Sequence, residues 1–148
     1  MRKPYKQVKT DKPDPVTNQP NLVLPMLSVQ IGSGHIFLPA PILAIVDSGS
    51  PYCLFRADIA EALKIDLTSG KPAQLGSVRK GALDTYYFHK VKVKIERNWL
   101  IEVFAGVSST MACPAILGRN GFFDQFFVKF DHSTNPPAVE IEKIDKVQ

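Results

Sequence analysis

Apolar and polar residues alternate with a period of two along much of this chain, and glycines and prolines punctuate the runs. The clearest run is Val91-Lys92-Val93-Lys94-Ile95-Glu96, which predicts a strand with one face in a core and the other in water. It belongs to a strand-like stretch over residues 74–104, in which Asn98-Trp99 marks a turn into a second strand over 100–104. Upstream, residues 22–31 alternate more loosely and Gly32-Ser33-Gly34 predicts a turn. Residues 36–46 then continue as an apolar stretch, part of which Pro39 and Pro41 demote to a sheet edge. Downstream, Ala115-Ile116-Leu117 is a short apolar strand stopped by Gly118, residues 126–130 alternate again, and 138–144 form a last strand. A single helical segment is predicted over 55–67, where Ile59, Leu63 and Leu67 share a face. Many short strands, one short helix and no internal repeat predict a mostly β fold.

Composition changes the picture only at the N-terminus. The chain has 148 residues, enough for one domain with a sizeable core, and its 45% apolar and 22% charged content is that of an ordinary globular protein. Residues 1–20 hold five basic residues (Arg2, Lys3, Lys6, Lys9, Lys12) against two acidic ones, so most of the net charge of +4 sits there. The segment is rich in Lys and Pro with little to bury, and it predicts a flexible basic arm ahead of a folded domain over 21–148. A tail is not a charged groove on a folded face, so nucleic acid is not an expected partner. No apolar run is long enough to cross a bilayer, no leader-like stretch opens the chain, and two cysteines make no disulfide framework. Together these predict a cytoplasmic protein with reduced thiols and no membrane partner.

The candidate chemistry lies in Ile45-Val46-Asp47-Ser48-Gly49-Ser50, where an apolar strand runs directly into an acid, a hydroxyl residue and a glycine. Such a triplet arises by chance in roughly one chain of this length in fifteen, and its bland reading is a turn after a strand. A second segment, Ile116-Leu117-Gly118-Arg119-Asn120, lies about seventy residues downstream. On its own it reads as a core strand stopped by a glycine turn and followed by a short helix.

Paired in this order with strands between them, the two segments resemble the retropepsin family of aspartic peptidases and its cellular and bacterial relatives, over about residues 22–142. The resemblance implies a β-barrel half with one or two short helices, active as a homodimer, that hydrolyses peptide bonds without metal or cofactor. Asp47 then supplies one of two carboxylates that activate water. Ser48 stiffens the loop across the dimer, and Gly49 lets the backbone pass close to carboxylate and substrate. Only Asp47 has the strand-Asp-hydroxyl-Gly setting, so its partner carboxylate must come from a second copy across a two-fold axis. Substrate contacts are expected from Ser50, from a flap hairpin carrying Gly76, Ser77, Val78 and Gly81, and from Ile116. A Ser50 hydroxyl donating to the carboxylate would favour its charged form and shift the optimum toward acid. The sequence departs from the retroviral pattern at Pro51, where an acidic residue would pair with Arg119. That departure keeps a second reading open, a catalytically weak dimerisation or peptide-binding module of the same shape.

Other residues attract blander readings. His35, His89 and His132 have no metal-ligand spacing, Cys53 and Cys113 read as free buried thiols near the cleft, and Trp99, Tyr86, Tyr87 and Phe122, Phe123, Phe126 and Phe127 read as core or dimer-interface packing.

Overall fold

The structure, a computed structural model, describes residues 1–76 and 81–145. Its strands are β1 (Arg2–Pro4), β2 (Lys6–Lys9), β3 (Asn21–Leu24), β4 (Met26–Ser33), β5 (Ile36–Phe37), β6 (Ile42–Val46) and β7 (Leu54–Arg56). A helix α1 (Ala57–Ala62) and a 3-10 turn (Leu67–Ser69) follow. The remaining strands are β8 (Lys71–Gly76), β9 (Leu83–Ile95), β10 (Trp99–Ser108), β11 (Ala115–Leu117), β12 (Phe126–Asp131) and β13 (Ala138–Lys143).

Six of them close a barrel. In the main sheet the order is β5-β4-β6-β11-β7-β10-β9-β8, and a further pairing of β4 with β9 joins the two sides. Closure gives each of the six barrel strands a partner on both sides and leaves β5 and β8 at the ends of the sheet. The alternation at Val91, Val93 and Ile95 points these side chains into the barrel, where all three are buried, while Lys92 and Lys94 face outward. Each such side chain contributes about 1.5–3 kcal/mol of burial. Across the seam Val29 lies opposite Ile95, and Ile31 opposite Val93. The fold is thus mostly β around a closed barrel, with one short helix, as expected.

The turn before β10 falls one residue earlier than its sequence suggests. Glu96 and Arg97 have φ of 47° and 64°, and Trp99 already belongs to the strand. The left-handed backbone is held because the Glu96 carboxylate accepts the Ser28 N–H at 2.6 Å and pairs with Lys3 at 3.1 Å. The helix is also shorter than predicted. Phe55 is taken by β7 and buried in the barrel, and the chain leaves α1 through Lys64 (φ 56°), with the Ile65 N–H donating to Ala60 O. After Gly118 the chain makes a series of turns over 119–125 rather than a helix.

Residues 1–20, expected as a flexible arm, instead contribute two strands. β1 pairs with β13, which pairs with β12 on its other side, and β2 pairs with β3 across the expected boundary. Composition misses this because the partner strand supplies what the segment lacks. The Ile141 and Met1 backbones exchange hydrogen bonds, the Tyr5 side chain is buried, and Arg2 is held by both Asp131 and Glu140.

The Asp131 site has a pH consequence. Its carboxylate accepts from the Ser133 hydroxyl and backbone N–H and from Arg2, which together hold it well below the usual carboxylate range. In the unfolded chain an aspartate protonates near 3.9. Below that pH the unfolded state takes up a proton that the folded state refuses, so this stabilisation is present at neutral pH and lost as pH falls. Thermal melts of the parent should therefore fall steeply below about pH 4, and Asp131→Asn should flatten that acid limb. An unchanged limb in the variant would contradict the assignment.

Candidate active site

Two short loops are locked together at the end of the barrel. β11 lies parallel to β6, pairing Ile116 with Ile45 and Leu117 with Val46, and antiparallel to β7 on its other side. The chain leaving β6 therefore emerges beside the chain leaving β11. There the Asp47 N–H donates to Leu117 O at 3.1 Å, and the Arg119 N–H donates to Ser50 O at 2.9 Å. The Asn120 backbone and side-chain amides both donate to Pro51 O, at 3.0 and 2.7 Å.

Gly118 sits where these loops touch. A Cβ built there would lie 2.0 Å from Tyr52 O and 2.8 Å from Ser50 O, both backbone atoms with no room to move. Only glycine allows the approach.

This lock sets the orientation of Asp47. Its carboxylate is half-buried and accepts the Gly49 N–H at 2.8 Å, a tight turn in which the side chain caps its own loop. Ser48 and Gly49 are exposed at the tip, and among the described residues the Ser48 hydroxyl has no hydrogen-bond partner. The Ser50 hydroxyl does not reach Asp47. It donates to Tyr52 O at 2.7 Å. The expected acid shift through Ser50 therefore has no basis here, because the loop's own curvature turns that hydroxyl back onto the backbone.

Asp47 opens onto a cleft of about 580 Å³ beneath the β8–β9 hairpin, lined also by Gly49, Ser50, Pro51, Leu54, Leu75, Gly76, Asp84, Tyr86 and Ile116. Asp47, Gly49, Ser50, Gly76 and Ile116 are thus brought together as the sequence suggested. Ser77 and Val78 lie outside the described residues. Gly81 is exposed with φ +83° and is not part of the lining. The sequence did not single out Leu54, Leu75 or Asp84 for the cleft, and it assigned Tyr86 to packing. The signal for the last two was present in the two-residue period, since Asp84 and Tyr86 stand on one face of β9 and Asp84 is registered opposite Leu75. Burial raises the Tyr86 hydroxyl's pKa, and the neighbouring Asp84 charge adds to it.

The other candidates fall away from chemistry. Arg119 is exposed and makes no ion pair among the described residues. Burial pushes the Cys53 thiol up to about 11 and raises that of Cys113 as well, the reverse of what a reactive thiolate needs. His89 bonds Leu67 O and His132 bonds the Tyr5 hydroxyl, while Trp99, Phe122 and Phe126 pack edge-on and stacked in the core. Among the described residues no three His, Cys, Asp or Glu side chains gather as a metal would require, and no helix is long and apolar enough to cross a membrane.

No protein-family model matches the chain, and no curated protein matches it. Among solved structures it is similar to the EIAV protease complexed with the inhibitor HBY-793, at 20% identity and a TM-score of 0.46, over 65% of this chain and 82% of that one.

The contact at Gly118 predicts a sharp contrast in denaturant melts. Gly118→Ala should cost about 3 kcal/mol or more, because backbone must move against backbone, whereas Ser50→Ala, which loses one hydrogen bond, should cost about 1 kcal/mol. Equal, small losses would mean that the loops are not locked there.

Proposed function

We propose that this protein is an aspartic endopeptidase of the retropepsin type, assembled as a homodimer with Asp47 from each chain at a shared catalytic centre. The observation that carries the proposal is the position of Asp47. Its carboxylate accepts the Gly49 N–H, its backbone N–H is held by Leu117 O of β11, and it opens onto a cleft roofed by a hairpin. Such a hairpin can close over an extended peptide, exclude water and offer backbone groups to it.

Hydrolysis by this route needs one carboxylate to take a proton from water and one carboxylic acid to give a proton to the scissile carbonyl. Two carboxyls within about 3 Å cannot both ionise, so a shared proton holds the pair in that mixed state. A two-fold axis through the site supplies the second Asp47, and Ser48 and Gly49, exposed at the tip, can meet their own copies there. The pair then titrates as a unit, and the rate should show an acidic and a neutral limb that belong to neither residue alone. Leu54, Leu75, Tyr86 and Ile116 give the cleft apolar walls, which suit cleavage between apolar side chains of an extended peptide. Arg119, which makes no ion pair among the described residues, supports the second reading, a peptide-binding module with little turnover.

The test is cleavage of a mixed peptide pool by the parent and by Asp47→Asn, read by mass spectrometry. The parent should cut within extended apolar segments, and the variant should lose at least about a thousandfold in rate, as removal of an essential proton-transfer group does. Cleavage that persists in the variant overturns the mechanism. Peptide binding without cleavage by either protein favours the module.

A further inference from the structure

The cleft contains a carboxylate that the hydrolytic chemistry does not use. Asp84 lies at the start of β9, opposite Leu75 of β8, and lines the same cavity as Asp47. It is half-buried, it shares the lining with Leu54, Leu75, Tyr86 and Ile116, and among the described residues the lining holds no lysine or arginine. Its proximity to Tyr86 is felt by that phenol, whose ionisation it opposes. A half-buried carboxylate beside apolar side chains is a strong acceptor, and a cationic side chain entering the cleft gains a charge-assisted hydrogen bond there.

We infer that Asp84 is a specificity-determining residue, selecting peptides that place a lysine or arginine side chain against the hairpin wall of the cleft. This rests on the peptidase reading and sharpens its substrate class from apolar peptides to apolar peptides bearing a basic residue. In a two-fold dimer the single shared cleft carries two copies of Asp84, one from each hairpin. The preference for a basic residue therefore recurs at matching distances on the two sides of the cleaved bond. Acidic residues at the same positions are rejected, because they would meet a like charge.

The experiment uses sets of extended peptides that differ only in carrying Lys, Leu or Glu at each position around one cleaved bond. The parent should show a kcat/KM at least about tenfold higher for Lys than for Leu at one position on each side. Asp84→Asn should bring that ratio close to one. Asp84→Lys should reverse it toward Glu, a change that a merely damaged hairpin would not produce. A Lys-to-Leu ratio unchanged by Asp84→Asn overturns the inference while leaving the peptidase standing. If the parent cleaves none of the peptides, the peptidase reading fails and the same sets are titrated onto the Asp47→Asn protein by calorimetry. There the inference predicts tenfold tighter binding of Lys than Leu peptides, lost when Asp84→Asn is added. Equal binding of the two, or none of either, overturns it.

Discussion

The architecture turns on one contact that tolerates no side chain. Gly118 brings the end of β11 against the backbone of the loop that follows β6, with Tyr52 O where a Cβ would have to go. Everything at the site is positioned from that point. The parallel pairing of β11 with β6 fixes where Asp47 leaves the barrel, and Arg119 and Asn120 hold Ser50 and Pro51 from the other side. The catalytic candidate is thus carried on a loop, but on a loop with almost no freedom of its own. Under the peptidase reading proposed above, preorganisation of this kind matters because a carboxylate that shares a proton with a twin has to be aimed before substrate arrives.

The barrel explains why the lock holds. Its closure between β4 and β9 and the buried ladder of Val91, Val93 and Ile95 give the two loops a rigid base. The terminal sheet adds a second layer, in which β1 lies against β13 and buries Tyr5. β9 belongs both to the barrel wall and to the hairpin it forms with β8, so one continuous strand runs from the core to the roof of the cleft. A closed base, a held acid and a hairpin above the cleft are combined in a single chain.

Much of this could be read in the sequence, for physical reasons that differ by element. The period of two at residues 91–96 announced β9 because one face of it is buried and the other wet. Asp47-Ser48-Gly49 and Ile116-Leu117-Gly118 were legible as a pair only through their resemblance to the retropepsin pattern, and the structure adds the local demands they answer, a self-capping turn and a close approach. Residues 1–20 misled because their strands are made by a partner at the other end of the chain, which composition cannot see. The helix was overestimated because Phe55 satisfies a helical pattern equally well as a buried strand residue. Ser50 was misjudged because the direction of a hydroxyl depends on loop curvature, and Asp84 was passed over because it follows no motif, only a register.

The central claim is that catalysis needs two copies of Asp47 joined across a symmetry axis. It is tested most directly by the initial rate of peptide cleavage against protein concentration, with peptide in excess. The account predicts a rate that climbs with the square of concentration while the protein is mostly monomeric and becomes linear as dimers fill. A rate linear in concentration down to dilutions where sedimentation finds only monomer would contradict it.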